Sequence, residues 1–488
     1  MGCTTLLVGR TASYDGSTLM ARNEDAAGGL FTAKKWIVVL PEDQPRVYRS
    51  VISGVEIPLP EAPQRYTAMP NALPDNGVWG EAGVNESNVA MTETETITSN
   101  PRVLGADPLV KGGIGEEDML TLVLPYIRSA REGVLRLGAL LEQYGTYEMN
   151  GVGFQDVHEI WWMETIGGHH WIARRVPDNC YVVMPNQQGI DYFDMTDAFG
   201  AQTAHMCSAD LIEFVTDNHL DLSLSENCLA VKDNTAFDVR AAFGSKADSD
   251  HSYSTARAWY MLRTLNPRSC RWDGPDADRK PDDNDLPWCL TPEHKITAED
   301  IKYILSSHFQ GTPYDPYGRF GDDSERGKYR PIGVNRTNFL MLTQLRPYLP
   351  ADRMALEWIA MGSNVFNALV PFYANVTKTP AYLAGTGKTV TTEHFYWANR
   401  IIAALADAQF ANCSILIEKY QNLVASRGHE MIRSFDQRVP DDTDSQAFLE
   451  QCNESICAML KAETEDVLDK VLYETSMGMK NSFLRTDG

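Results

Sequence analysis

A chain of 488 residues with 43% apolar and 22% charged content is long enough to bury a large core and to hold two or three domains. Its net charge of −23 opposes binding to nucleic acid or to an anionic membrane surface, and no run of about 18 apolar residues is present to span a bilayer. The nine cysteines are scattered, odd in number and free of any CxxC, which excludes a zinc-type pattern and fits free thiols in a reducing cytoplasm.

The chain opens with a predicted β-hairpin. Residues 3–9 form an apolar strand, Asp15-Gly16 marks a turn, and residues 17–23 return. The run Leu6-Leu7-Val8 is too short for a secretory core and Arg10 interrupts it. Leu6 also stands where a lipidation start needs Ser or Thr. A loop of two to four residues would set position 25 opposite about residues 4 to 6. Asp25 would then lie beside Cys3, and Arg22 would reach back with its long side chain.

Cys3 is the residue with the sharpest chemical meaning. A thiol of pKa roughly 8.5 and an α-amine of roughly 7.7–8.0 are close enough for the amine to accept the thiol proton. A cysteine that becomes the first residue therefore carries nucleophile and base together, with no histidine and no metal. This requires loss of Met1 and Gly2. Methionine is readily removed before a small residue; losing Gly2 takes a second event, such as self-cleavage by the Cys3 thiol. The plainer alternative is a small buried cysteine in a first strand.

Further along, residues 78–94 suggest another strand pair, with 81–86 as a turn and 89–91 as a strand. Residues 116–144 read as one long helix, acidic in its first turn and stopped by Gly145. Strands follow at 151–154, 157–165, 169–175 and 181–185. The polar stretch 235–330 reads as loops with short helices, and helices are expected at 395–412, 413–427 and 448–476. Antiparallel strands between helical segments argue for an α+β layered architecture. The expected division is a catalytic unit, 3–393, with a helical extension, 394–488, packed on it.

Several motifs have bland and sharp readings. Gly385-Thr386-Gly387-Lys388-Thr389 lacks the earlier glycine and the buried strand of a P-loop, so it reads as a surface turn. His158-Glu159 lacks the second histidine of a zincin, and Trp161-Trp162 reads as core. His169 and His170, adjacent in a strand, should point to opposite faces as structural residues. Asn186, just past an apolar strand, is either a turn asparagine or an amide donor to an oxyanion. Asn85 has the same two readings, and Arg257 at a helix start is a surface charge or a site residue.

Five segments in order resemble the cysteine N-terminal-nucleophile hydrolases, most closely the PepD-type dipeptidases, with secernins as relatives. They are the opening signature through Ala21-Arg22-Asn23-Glu24-Asp25, then EIWWMETIGGHHW from Glu159, SSHFQGTPYDPYG from Ser306, RPIGVNRT from Arg330 and VPFYANV from Val370. The resemblance implies a four-layer αββα sandwich of two antiparallel sheets between helical layers. It implies Cys3 as nucleophile and Arg22 with Asp25 as the R-x-x-D pair that tunes thiol and amine. By similarity to penicillin V acylases and bile salt hydrolases, Asn186 and Asn85 are implied oxyanion or substrate contacts. Arg257 falls one residue earlier than the acylase arginine. The implied substrate is a dipeptide, with no metal or organic cofactor, no nucleic acid and no membrane. Helices near the C-terminus leave a homo-oligomer open. Rival readings are an amidohydrolase for N-acyl amino acids and a non-enzymatic, secernin-like binding protein. A dipeptide also needs a partner for its ammonium, and Glu24 and Glu93 are both candidates.

Overall fold

The structure, a computed structural model, describes residues 2–73, 77–95, 97–222, 237–318, 321–438 and 445–481. Two antiparallel sheets dominate it. The first has seven strands in the order Cys289–Leu290, Tyr181–Met184, Thr4–Val8, Thr18–Asp25, Thr337–Leu345, Ala355–Met361 and Val370–Tyr373. The second has six, in the order His205–Cys207, His170–Arg175, Ile160–Ile166, Asn150–Gln155, Ala90–Glu95 and Ala82–Val84.

Strand alternation sorts the side chains of the opening hairpin. Leu7 and Met20 point at the second sheet, where the α-carbon of Gly153 comes so close that an added Cβ would lie 2.7 Å from the Met20 sulfur. Leu6, Val8, Leu19 and Ala21 point outward and share a core with Trp259, Ile301 and Ile402 of the covering helices. On the far side, helix Ala130–Tyr144 lies against the second sheet through Gly133 on Phe154 and Gly138 on Trp171. The result is helix, sheet, sheet, helix, the layering the resemblance implied.

The hairpin register differs from expectation. Thr4 pairs with Asn23 and Thr5 with Arg22, so Asp25 lies opposite Gly2, and the Gly2 N–H donates to the Asp25 carbonyl at 3.2 Å. The connection is longer than a tight turn. Residues 9–17 fold back on themselves, with Ser13 Oγ donating to the Ser17 carbonyl at 2.6 Å and Asp15 accepting from the Ser17 N–H at 3.0 Å.

The expected helix 116–144 is two helices, Glu116–Val123 and Ala130–Tyr144, separated by a turn at Leu124–Tyr126. Pro125 has no N–H to continue the first, and Ser129 caps the second by accepting from the Glu132 N–H at 3.2 Å. In the 78–94 region the strands are Ala82–Val84 and Ala90–Glu95, and the turn lies between them. His169 and His170 do not diverge: both rings reach Asp107, at 2.8 and 2.7 Å, because the strand begins only at His170.

Three helices, Phe395–Ala408, Phe410–Asp436 and Ser445–Met477, close the chain. Asn453 accepts from the Tyr373 N–H and donates to the Tyr373 carbonyl, both at 2.9 Å, and so blunts the edge strand of the first sheet.

Candidate active site

Cys3 is fully buried at the start of the first strand, on the same face as Arg22. Arg22 is equally buried. Its Nη2 donates to the Cys3 sulfur at 2.8 Å and to Glu116 Oε1 at 3.0 Å; its Nη1 donates to Glu81 Oε2 at 2.6 Å. Glu81 is held in the left-handed backbone region at φ 68°, a sparsely populated conformation for a non-glycine residue. Lys34 Nζ bonds its other oxygen at 3.2 Å and lies 3.5 Å from Glu24. Glu116 opens its helix, where the N-terminal N–H groups favour a carboxylate.

Burial pushes the Cys3 thiol up to about 12, with Arg22 pulling it down and Glu116 and Glu81 adding to the rise. The thiol is therefore protonated at neutral pH in this form. A guanidinium at 2.8 Å does not ionise it unaided, so a base has to take the proton.

A second set of contacts gathers at the Cys3 carbonyl. Arg257, fully buried in the first turn of helix Ala256–Leu265, donates to the Cys3 carbonyl and to Thr4 Oγ1, each at 2.6 Å. Its Nη2 donates to Asn186 Oδ1 at 2.7 Å. Because guanidinium only donates, the amide oxygen of Asn186 faces Arg257 and the NH2 faces the other way. Asp25 accepts from Thr337 Oγ1 at 2.5 Å and from Arg330, whose Nη2 also donates to the Gly2 carbonyl at 3.2 Å. The Tyr253 ring packs under Arg257 and Arg330, and its hydroxyl accepts from Arg336 at 2.8 Å. Gly2 fits this enclosure only as glycine, since a Cβ would lie 2.1 Å from the Tyr253 hydroxyl.

Five of the six expected residues thus converge on Cys3 and its flanking peptide: Cys3, Arg22, Asp25, Asn186 and Arg257. Arg257 is no surface charge. Asn85 is the exception. Its NH2 donates to the carbonyls of Leu124 and Ile127, both at 2.8 Å, and its oxygen accepts from the N–H groups of Ser87 and Val89. The amide is committed to closing the turn between Ala82–Val84 and Ala90–Glu95. An Asx turn and an oxyanion amide look alike in sequence, and here the turn has it.

Sequence reasoning assigned no role to Arg330, Tyr253, Glu81 or Glu116. Signals existed: Arg330 begins RPIGVNRT, and Tyr253 lies four residues before Arg257. Glu81, Glu93 and Glu116 bring one carboxylate oxygen each within 4.8 Å of one another, an arrangement able to hold a cation. A cavity of about 420 Å³ between Phe31, Trp397, Arg400 and Asp407 does not include Cys3 in its lining.

The model of peptidase family C69 matches residues 2–422. The chain belongs to peptidase family C69. Every residue of the site lies inside that match, which runs past position 393 into helix Phe410–Asp436. Among relatives, the dipeptidase of Bifidobacterium longum is 54% identical, with 100% of each chain covered. A probable dipeptidase A of Streptococcus pyogenes serotype M3 is 51% identical, again over 100% of each. Dipeptidase A of Lactobacillus helveticus is 42% identical, covering 90% of this chain and 88% of that one. Among solved structures, penicillin V acylase from Agrobacterium tumefaciens matches at a TM-score of 0.32 and 13% identity, covering 79% of this chain and 89% of that one. Among the described residues, no helix is long and apolar enough to cross a membrane.

Proposed function

We propose that this C69 chain hydrolyses the peptide bond of dipeptides, with Cys3 as an N-terminal nucleophile. The observation that carries the reading is the Cys3 sulfur held 2.8 Å from a fully buried Arg22, on a chain whose own carbonyl is tied through Arg257 to Asn186. The names of the full-length relatives supply the substrate class.

Once residues 1 and 2 are gone, the neutral α-amine of Cys3 takes the thiol proton. The thiolate, beside Arg22, attacks the substrate carbonyl and forms the C–S bond. Asn186, its oxygen fixed by Arg257, donates to the oxyanion; one such donor is typically worth about 3–4 kcal/mol. The Cys3 ammonium then gives its proton to the departing amine as the C–N bond breaks. Water, deprotonated by the same amine, cleaves the thioester and releases the acyl residue as its carboxylate.

The test is turnover of a panel of dipeptides by the processed protein and by Cys3→Ala. The reading predicts hydrolysis by the first and none by the second. Turnover of N-acyl amino acids with dipeptides left intact would replace it with the amidohydrolase reading.

A further inference from the structure

The interior beside Cys3 holds more carboxyl groups than cations to pair with them. Four buried carboxylates, Glu24, Glu81, Glu93 and Glu116, share it with two cations, Arg22 and Lys34. Arg22 takes one oxygen of Glu81 and one of Glu116; Lys34 takes the other oxygen of Glu81 and sits near Glu24. Among the described residues nothing takes Glu93. Both its oxygens are buried without a hydrogen-bond partner, and so is Oε2 of Glu116. A buried carboxylate without a donor is costly. Burial, with Glu116 and Glu81 close by, pushes Glu93 well above the usual carboxylate range.

We propose that Glu81, Glu93 and Glu116 are the recognition site for the free α-ammonium of the substrate. This rests on the dipeptidase reading and names the group that separates a dipeptide from an N-acyl amino acid. The distances fit. Arg22 Nη2 touches both the Cys3 sulfur, at 2.8 Å, and Glu116 Oε1, at 3.0 Å, so these two atoms are at most 5.8 Å apart. In a peptide the α-nitrogen lies about 2.5 Å from the carbonyl carbon, and that carbon approaches its nucleophile to roughly 3–3.5 Å. An ammonium among the three carboxylates is therefore one residue away from a carbonyl at the sulfur.

The chemistry favours an ammonium over a divalent metal. Three N–H donors match three carboxylates, one oxygen each. A divalent ion would carry twice the charge of an ammonium against the Arg22 guanidinium that already bonds two of the three. Glu24 is the weaker candidate because Lys34 stands beside it. An acylated substrate brings no ammonium and leaves Glu93 buried and unpaired, and sites of that kind reject the wrong ligand by about 10⁴ or more.

The experiment compares Ala-Ala with N-acetyl-Ala-Ala on processed wild type and on Glu93→Gln, and alaninamide with propionamide as ligands of wild type. Wild type should prefer the free amine by at least about 10³, and Glu93→Gln should shrink that ratio by about 10² through KM. Alaninamide should bind at least tenfold more tightly than propionamide, a comparison that stands even if the variant does not fold. An unchanged ratio in a folded Glu93→Gln, or equal binding of the two amides, would overturn the proposal. So would loss of activity with chelator restored by Mg²⁺ or Mn²⁺ through Glu93, which would make the cluster a metal site. Failure of wild type to hydrolyse Ala-Ala would count against the dipeptidase reading, while the amide pair would still decide the carboxylate cluster.

Discussion

At the residue scale the site is organised by arginines that act as rigid forks. Arg22 holds a thiol and two carboxylates at once, from a position with no exposure to water. A lysine offers one point charge and cannot span the three. Arg22→Lys should therefore lower kcat/KM by about 10² or more, and breaking the buried pairing should cost roughly 3–5 kcal/mol of stability. Steady-state kinetics within twofold of wild type would contradict this. The hairpin reading placed Arg22 and Asp25 near Cys3, and the R-x-x-D pairing was implied by the resemblance. Arg257 was visible only through the resemblance, because nothing in its local sequence distinguishes a buried cation from an exposed one. Asn85, which the sequence left between a turn residue and an amide donor, spends its amide on closing a turn. Glu81 and Glu116 went unassigned because residues far apart in sequence meet only on folding.

Glu357 is buried, and among the described residues its hydrogen-bond partners are Thr67 and Trp36. Burial raises it from 4.5 to about 7, the two hydrogen bonds opposing. The folded state thus binds a proton that the unfolded state releases above about 4.5. Stability contributed by this group is present below that pH and is lost as pH rises through about 7, to the extent of about 3 kcal/mol. Glu357→Gln should raise the thermal midpoint at pH 8 and change it little at pH 5. Equal effects at both pH values would show that the proton at Glu357 is not involved.

At the scale of elements, the layers are set by glycines as much as by apolar side chains. Helix Ala130–Tyr144 comes down on the second sheet at Gly133 and Gly138. A Cβ at Gly138 would lie 2.5 Å from the Trp171 ring, whereas one at Gly105, in helix Pro101–Ala106, would meet nothing within 4 Å. Gly138→Ala should cost about 1–3 kcal/mol by overpacking. Gly105→Ala should gain about 0.4–1 kcal/mol through the unfolded chain. Thermal denaturation of the two variants should therefore move in opposite directions; movement in the same direction would contradict the packing account. Four strands of the second sheet were legible from their apolar residues, whereas Ala82–Val84 fell inside the expected turn at 81–86 and the short edge strand His205–Cys207 was not expected. The hairpin register was not legible, because the loop at 9–17 folds back through Ser13, Asp15 and Ser17 and takes up more residues than a tight turn. The break at Pro125 was readable, but the acidic start and Gly145 stop of the segment drew it into one helix.

At the scale of the whole molecule, the first sheet gathers two arginine-centred clusters at Cys3. The thiol meets Arg22 and, through it, the carboxylates, while the carbonyl meets Arg257, which also holds Asn186. The closing helices share the core of the first sheet and cover its edge at Tyr373. In this arrangement the base is the missing part. The thiol is pushed up to about 12, and the group suited to take its proton is the amine that exists only when Cys3 is the first residue. The most direct measurement is the intact mass of the catalytically active protein. The account predicts a chain beginning at Cys3. Full dipeptide turnover by a chain that still carries Gly2 would contradict it.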